Sequence, residues 1–239
     1  TGKKQITFDG VDIDQAKDYA AEDADVTYRL YKKFLKNIKE EKLVNIYESF
    51  EKPMVEILAE MEISGIKLNK DFLLKLSKKF EKKIAELEKE IFKISKKKFN
   101  IGSTKQLGEI MYNDLKISSL KKTKKGSFAT SASVLEDLAF KGNQLPKLVL
   151  EWRQISKLKN TYSDSLPEYI NPTSKRVHTS FLLAATTTGR LASSDPNLQN
   201  IPIKSEDGKE IRKAFISEKG SSLLSADYNQ IEMRILSDL

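Results

Sequence analysis

A short apolar run that ends in a carboxylate and passes directly into a helical pattern constrains this chain most. Residues 222–226 are small and apolar, as the end of a buried strand would be, and Asp227 follows them. The apolar residues that come next recur at helical spacings of three and four: Ile231, Ile235, Leu236 and Leu239. Asp227 is therefore expected at a strand-to-helix junction, where its oxygens can bind a hard cation such as Mg²⁺. The alternative is that Asp227 only caps the helix.

The composition is that of a folded chain with a basic surface. The 239 residues are 39% apolar, which is enough for the cores of one large or two ordinary domains. The formal charge of +8 suits a polyanionic partner, although many proteins of this charge bind none. The lack of cysteine excludes disulfide scaffolds and Cys-ligated zinc or iron–sulfur sites, and it fits a reducing cytoplasm.

Neither a signal peptide nor a membrane segment is expected. No apolar run approaches the roughly 18 residues that a transmembrane helix needs. The chain opens at Thr1 without methionine and stops inside the helical pattern, so we expect a fragment of a longer protein.

Apolar periodicity predicts a mostly helical chain. The stripe of the second helix, which includes Phe50 and Met61, is expected in a core, and Pro53 is expected to kink that helix. Ser103 is a natural N-cap for a further helix start. A Thr-rich alternating segment, residues 176–188, predicts a strand that ends at Gly189. The predicted helices cover residues 12–42, 43–64, 70–98, 133–140 and 144–170.

Basic residues cluster in ways that suit a phosphate backbone. Residues 70–98 hold eleven Lys against five acidic residues, and most of these Lys are expected on a solvated face. Arg153 and Lys157 are four residues apart, a spacing that can straddle successive phosphates. Five of the six Arg lie between residues 153 and 234, which hints that these positions need the planar guanidinium. A basic loop holds Lys121, Lys122, Lys124 and Lys125, either as DNA contacts or as a solubilising surface.

Two long motifs in the last third of the chain carry a family resemblance. The first runs from Thr188-Gly-Arg through Ser193-Ser-Asp-Pro-Asn-Leu-Gln-Asn200 to Ile201-Pro, and the second is Asp227-Tyr-x-Gln-Ile-Glu-x-Arg234. Together they resemble the family A DNA polymerases of the bacterial polymerase I type. The resemblance implies an α+β, predominantly helical fold, in which a helical thumb is followed by the first strands of an antiparallel palm sheet.

In this family Asp227 corresponds to the first metal-binding aspartate, and the Tyr228 carbonyl is a further ligand. The resemblance implies two Mg²⁺ ions that activate the primer 3′-hydroxyl and stabilise the leaving pyrophosphate. Glu232 matches the residue that excludes a ribose 2′-hydroxyl, and Gln230 and Arg234 would support the site.

The same resemblance implies a set of DNA contacts. Arg190 would reach the minor-groove edge of the primer-terminal base pair, where the acceptors of all base pairs are similar. Taken without the resemblance, Asn197, Gln199 and Asn200 only indicate an Asx-rich turn. Lys204 departs from the Arg that is usual at its position, so no specific triphosphate contact is assigned to it. The implied DNA contacts are Arg153, Lys157, Arg190, Asn197, Gln199, Asn200, Lys105 and the four Lys of the basic loop.

Tyr19 and Asp23 lie one helical turn apart, so a phenol and a carboxylate share one face. This is either an ordinary amphipathic helix with a surface carboxylate or, by resemblance, the last motif of the 3′–5′ exonuclease domain that precedes the polymerase in this family. The other exonuclease carboxylates are absent from the sequence. We therefore expect no proofreading by this chain alone.

The expected divisions are the end of an exonuclease domain at 1–42, a connecting helix and thumb at 43–170, and the start of the palm at 171–239. The implied function is template-directed DNA synthesis from dNTP in replication and repair, as a monomer with primer-template DNA, in the bacterial cytoplasm at the nucleoid. The second catalytic aspartate and the fingers helix are absent, so the chain alone is expected to be inactive. The alternative is a non-catalytic DNA-binding module. A basic helical scaffold would leave residues 186–234 unexplained.

Overall fold

The computed structural model describes residues 7–117, 128–203 and 205–238. The chain forms two compact units, Thr1–Met61 and Glu62–Leu239, which are described separately. Within the described ranges no helix combines the length and the apolarity that crossing a membrane requires.

The first unit is built from two helical runs. A 3₁₀ turn at Phe8–Gly10 precedes α1, Ile13–Glu40, whose N-terminus is capped by the Asp12 carboxylate. This confirms the helix predicted over residues 12–42. The second run starts as α2, Val44–Ile46, widens into a π turn at Tyr47–Glu51 and continues as α3, Lys52–Ser64. The irregularity directly precedes Pro53, which has no N–H to donate and clashes with the carbonyl four residues before it.

The expectation that the stripe of the second helix forms a core is wrong in this structure. Phe50 is 64% exposed and Met61 is 47% exposed, whereas Leu58 is buried. An apolar helix face becomes a core only where another layer covers it. The described residues of the first unit supply no such layer.

The second unit contains the predicted long helices. Its helices are α4 (Lys70–Ser95), α5 (Thr104–Gly108), α6 (Ala132–Phe140), α7 (Gln144–Leu158), α8 (Glu206–Arg212) and α9 (Ile231–Asp238). Asn69 caps α4 by accepting from the Phe72 amide, and Ser103 caps α5 by accepting from the Gln106 amide, as predicted for Ser103. Two π turns, Glu109–Asp114 and Lys159–Asp164, extend α5 and α7, and a 3₁₀ turn covers Leu166–Tyr169.

One apolar core joins these helices. The apolar stripe of α4 is buried at Leu73, Leu76, Phe80, Leu87 and Ile91 and packs in one cluster with buried residues of α6 and α7. Polar contacts at the edge of this core tie the helices together. The Trp152 indole donates to Glu88, and Lys83 of α4 pairs with Glu151 of α7 and Asp207 of α8. The hydrogen bond to Asp207 raises the pKa of Lys83 against the opposing effect of burial, and Glu151 raises it further.

Two small antiparallel sheets complete the unit, in agreement with the predicted α+β, predominantly helical fold. The first has the order β2 (Arg176–Val177), β1 (Ile66–Leu68), β5 (Phe215–Ile216), and its centre is a strand that the sequence did not indicate. The second pairs β3 (Ser180–Leu182) with β4 (Ala192–Ser194), with Phe181 opposite Ser193. The predicted strand over residues 176–188 is therefore wrong beyond Leu182. A ladder continues only where a partner strand continues, and β4 offers three residues.

The prediction of a strand at residues 222–226 is also wrong in this structure. These residues are in no strand, and Leu224 is 95% exposed. A strand end is stabilised by a neighbouring ladder and a covering layer, and no described strand pairs with this segment. Helix α9 starts at Ile231, four residues after Asp227, with the Gln230 carbonyl as the acceptor of its first turn.

Candidate functional site

A cleft of about 960 Å³ in the second unit gathers four of the eleven predicted DNA-binding residues. One wall is α7 with Arg153, Gln154 and Lys157, and the opposite wall is the segment from Gln199 to Ile203. Ser205 and Arg212 of the α8 region also line the cleft, and the remaining lining residues are Ala132, Glu136, Leu150 and Leu158. Residues more than forty positions apart in the sequence therefore face one opening.

The α7 wall supplies two cations with different roles. Arg153 is partly buried, and its Nη1 donates to the Thr130 carbonyl at 2.7 Å. Burial lowers the pKa of its guanidinium. Lys157 is exposed one turn further on, and no described residue forms an ion pair with it. Its ammonium group is available to an anion, whereas Arg153 also holds the wall together.

The opposite wall is held by hydrogen bonds of its own turn. Asn197 Oδ1 accepts from the backbone N–H groups of Gln199 at 3.0 Å and Asn200 at 3.3 Å, which is the predicted Asx turn. Gln199 Nε2 donates to the Leu191 carbonyl, and the Tyr162 hydroxyl donates to the Asn200 carbonyl. Burial raises the pKa of Tyr162. The side chains of Asn197 and Gln199 therefore shape the turn besides being candidates for DNA contact.

Arg212 is a cleft residue to which sequence reasoning assigned no role. It lies at the end of α8, exposed, and forms no ion pair with a described residue. The start of α8 approaches the chain closely at Gly208, where a Cβ atom would lie 2.7 Å from the Cβ of Pro202. Glycine thus allows the close packing that brings this helix to the cleft. The retention of Arg in a chain rich in Lys was the available signal for Arg212.

The other late arginines show that this signal is not specific for ligands. Arg176 uses its planar group within the fold: Nε donates to the Ser64 carbonyl at 2.7 Å, Nη2 to the Gly65 carbonyl at 3.1 Å, and Nη1 to Glu218 at 3.1 Å. Lys67 also donates to Glu218 and lowers its pKa. This arrangement crosslinks β1, β2 and the segment after β5.

Arg190 lies in the connection between β3 and β4 and outside the cleft lining. Its Nη2 is 3.3 Å from Glu232 Oε1, so two residues implied in primer and sugar recognition form an ion pair. Arg234 is exposed, and its Nε donates to the Asn229 carbonyl at 3.2 Å. Gln230 precedes α9 with a φ of 52°, in the left-handed region that is costly for residues with a side chain.

The predicted metal site is exposed. Asp227 and Tyr228 lie in the irregular segment before α9, and no described residue donates a hydrogen bond to the Asp227 carboxylate. The carboxylate does not cap α9, whose first turn begins at Gln230. A carboxylate and a backbone carbonyl are oxygen donors of the kind that Mg²⁺ accepts. Within the described residues no group of three His, Cys, Asp or Glu side chains gathers around a possible metal position.

Several predicted residues are not brought to the cleft. Lys105 is exposed in α5 and is not part of the lining. Tyr19 and Asp23 share a face of α1 in the first unit, where the Tyr19 ring contacts Phe8. Lys121, Lys122, Lys124, Lys125 and Lys204 lie outside the described residues.

The chemistry of the cleft is that of a phosphate-backbone site. Arg153, Lys157 and Arg212 offer three positive charges against the one carboxylate of the lining, and three further residues offer amide groups: Gln154, Gln199 and Asn200. The carboxylate belongs to Glu136. Charges of this kind bind phosphates in any nucleotide sequence, and each phosphate contact releases counterions. No arrangement for reading base edges is needed to explain the lining.

Known proteins provide an independent comparison. The model of the family described as DNA polymerase family A matches residues 70–239. DNA polymerase I of Rhizobium leguminosarum is 51% identical over 99% of this chain and 23% of its own length, and DNA polymerase I of Pseudomonas aeruginosa is 45% identical over 100% and 26%. The chain thus spans about a quarter of these relatives.

A solved structure agrees with the sequence relatives. It is the POL domain of Pol1 from M. smegmatis in complex with DNA primer-template and dNTP, with a TM-score of 0.76 and 35% sequence identity over 84% of this chain and 35% of that one. The family match includes α4, α7, the cleft and both motifs around Arg190 and Asp227. The chain belongs to the family A DNA polymerases.

Proposed function

We propose that this chain takes part in template-directed DNA synthesis, as a portion of a longer DNA-directed DNA polymerase. The observation that carries the proposal is the cleft in which Arg153, Lys157, Gln199 and Asn200 meet. These residues come from two distant segments, and both were singled out as DNA contacts from the sequence. The ligand of the cleft is the backbone of primer-template DNA.

The hairpin and the C-terminal helix provide the residues for recognition beyond the backbone. Arg190 reaches the minor-groove side of the primer-terminal base pair and tests its shape without reading its sequence. Glu232 excludes substrates that carry a 2′-hydroxyl, which selects dNTP over ribonucleotides. Both side chains are exposed, at 75% and 71%, and are therefore accessible to a ligand.

Asp227, together with the Tyr228 carbonyl, would hold Mg²⁺. The chemistry that two such ions supply to the complete enzyme is a lower pKa of the primer 3′-hydroxyl and charge stabilisation at the leaving pyrophosphate. A two-metal site needs more than one carboxylate. The 239-residue chain by itself therefore binds primer-template DNA without extending it.

Binding to DNA is tested by titrating the chain with a labelled primer-template at several salt concentrations. The affinity should fall steeply with salt, and Lys157→Ala should reduce the slope of log K against log salt by about 1. Lys36→Ala on α1, where Lys36 pairs only with Glu40 among the described residues, is the control that should leave the slope unchanged. Salt-independent binding, or none at low salt, would contradict the proposal.

The second candidate function is a non-catalytic DNA-binding module. The observation in its favour is that, among the described residues, no group of three His, Cys, Asp or Glu side chains forms a place for a metal ion. The proposed inactivity of the chain alone is tested by a primer-extension assay with dNTP and Mg²⁺. A complete family A polymerase is assayed beside the chain. Extension of the primer by the chain would show that inactivity to be wrong.

Further parts of the proposal concern the complete protein. It acts in replication and repair, as a monomer, in the bacterial cytoplasm at the nucleoid. Residues 1–42, with Tyr19 and Asp23, are the end of an exonuclease domain, residues 43–170 are the connecting helix and thumb, and residues 171–239 begin the palm. Support for these divisions is the sequence resemblance.

A further inference from the structure

The hairpin that carries Arg190 is fastened at its base by side chains. Strand β3 pairs with β4, and among the described residues no strand lies along its other edge. The Phe181 N–H on β3 donates to Glu62 Oε1 at 2.6 Å. A carboxylate thus occupies the position that a further strand would take, and it satisfies a donor of the strand edge.

The backbone carbonyl of Glu62 holds the start of the hairpin. His178 Nδ1 lies 2.7 Å from the Glu62 carbonyl oxygen, and His178 Nε2 lies 2.6 Å from Ser174 Oγ. A carbonyl oxygen only accepts, so Nδ1 carries the hydrogen. Nε2 accepts from the Ser174 hydroxyl when the ring is neutral and donates to it when the ring is charged. The ring therefore keeps both contacts in either protonation state.

The base of the hairpin is also tied to the cleft wall. Thr179 is buried, and its hydroxyl lies 3.0 Å from the Ser194 carbonyl and 2.8 Å from the Pro196 carbonyl. Pro196 directly precedes the turn that begins at Asn197. A shift of residues 178–181 would consequently move the hairpin.

We propose that Glu62 is a positioning residue for Arg190. Its carboxylate accepts from the Phe181 N–H, and its carbonyl accepts from His178 Nδ1. These two contacts lie on either side of Thr179, whose hydroxyl donates to the Ser194 carbonyl of β4. The hairpin has three registered pairs, which is too few to fix the long connection between β3 and β4 without support. Glu62 supplies that support and so presents the Arg190 guanidinium to primer-template DNA. This inference rests on the proposed function.

The anchoring is tested without DNA by amide hydrogen exchange of the 239-residue chain. Glu62→Ala should speed exchange at Phe181 and in residues 183–191 by about tenfold, because the edge donor loses its acceptor. Glu62→Gln should remain within about threefold of the unaltered chain, since its amide oxygen still accepts. Trp152→Phe, which removes a comparable bond to Glu88, should leave the hairpin unaffected. Unchanged exchange in Glu62→Ala would overturn the proposal.

The action through Arg190 is tested by a double-mutant cycle on DNA affinity. Glu62→Ala should weaken primer-template binding by about three- to tenfold, Glu62→Gln should restore it, and Glu62→Ala should have no further effect in an Arg190→Ala background. Urea unfolding followed by the fluorescence of Trp152, the single tryptophan, checks that the second unit stays folded. An equal loss in both backgrounds would overturn the positioning role.

Failure of the inference and failure of the proposed function are distinguishable. If the unaltered chain does not bind DNA, the proposed function fails and the role of Glu62 towards DNA fails with it. If the unaltered chain binds DNA and Glu62→Ala binds equally well, the inference alone fails.

Discussion

Arg190 Nη2 and Glu232 Oε1 are 3.3 Å apart, which joins the connection of the β3–β4 hairpin to the first turn of α9. Both side chains are well exposed, at 75% and 71%. Water screens such a pair, and holding two long side chains in one geometry costs entropy, so exposed pairs are weak. A DNA ligand can therefore take the guanidinium from Glu232 at little cost.

Replacing Glu232 by Gln should tighten the binding of primer-template DNA. The change removes a competitor for Arg190 and one negative charge near a polyanion. Because the pair is exposed, the gain should be no more than about fivefold. Fluorescence anisotropy of a labelled primer-template at low salt measures it.

Asp25→Asn is the matched control for this prediction. It also removes a carboxylate that pairs with an Arg, since Asp25 Oδ2 lies 2.8 Å from Arg29 Nη2 on exposed α1. The two variants have the same net charge. Equal tightening in both would mean that overall charge, and not the release of Arg190, controls the affinity.

Arg212→Ala should weaken DNA binding uniformly, by about three- to tenfold, and reduce the salt slope by about 1. The reason is that Arg212 lines the cleft as its third cation and has no described acidic partner. Titrations with two primer-templates of unrelated sequence measure both quantities.

Lys209→Ala is the control on the same helix. Lys209 is exposed, pairs with Glu206 and does not line the cleft. Its loss should change the affinity much less than the loss of Arg212. A loss confined to one of the two DNA sequences would contradict a phosphate role for Arg212.

Gly65→Ala should destabilise the second unit by more than about 2 kcal/mol. Gly65 has a φ of +56°, and a Cβ atom there would lie 2.6 Å from the Val177 carbonyl and 2.7 Å from His178 Nδ1. The added methyl group would strain the backbone and push β2 away from β1. Urea unfolding followed by Trp152 fluorescence measures the loss.

Gly142→Ala separates the effect of backbone strain from the effect of the contacts with β2. Gly142 also has a positive φ, +88°, but nothing lies within 4 Å of a Cβ atom there. This variant should lose only about 1 kcal/mol of stability, because a side chain at a positive φ strains the backbone. Equal losses in both variants would show that the contacts of Gly65 with β2 do not matter.

The parts of the fold that the sequence predicted are those in which local pattern and burial agree. The stripe of α4 is continuous in sequence, and its partners α6 and α7 lie in the same chain. The cap at Ser103 needs only neighbouring residues. In contrast, β1 is three residues long, and its position between β2 and β5 depends on pairings more than a hundred residues away. Periodicity cannot indicate such a strand.

The candidate site divides in the same way. Arg153 and Lys157 were evident from their spacing, and the Asx turn from its residue types. The sequence assigned no role to Arg212, and the approach of α8 at Gly208 places it in the cleft. At residues 222–226 the sequence predicted a strand that the structure lacks. Small apolar residues form a buried strand only where a neighbouring strand is available to pair with them.

The two carboxylate oxygens of Asp164 accept hydrogen bonds from α4 and from the π turn Lys159–Asp164 to which Asp164 belongs. Oδ1 accepts from Ser77 of α4 at 2.6 Å, and Oδ2 accepts from Lys159 at 2.7 Å. Burial raises the pKa of Asp164, but the bonds from Lys159 and Ser77 outweigh it, so the pKa lies below the ordinary 3.8. A depressed pKa in the folded chain means that the stabilisation is complete above the unfolded value and is lost as the pH falls through the folded value.

Asp164→Asn should therefore lower the melting temperature at pH 7 by about 1–3 °C, a modest amount because the pair is partly exposed. The difference from the unaltered chain should shrink as the pH falls below 3.8, where the native carboxylate itself becomes protonated. Melting curves of Trp152 fluorescence between pH 7 and pH 3 measure this. Glu168→Gln, an exposed carboxylate nearby in the sequence, should show no such convergence. A difference that is constant with pH would mean that Asp164 acts through shape and hydrogen bonding, and that its charge does not contribute.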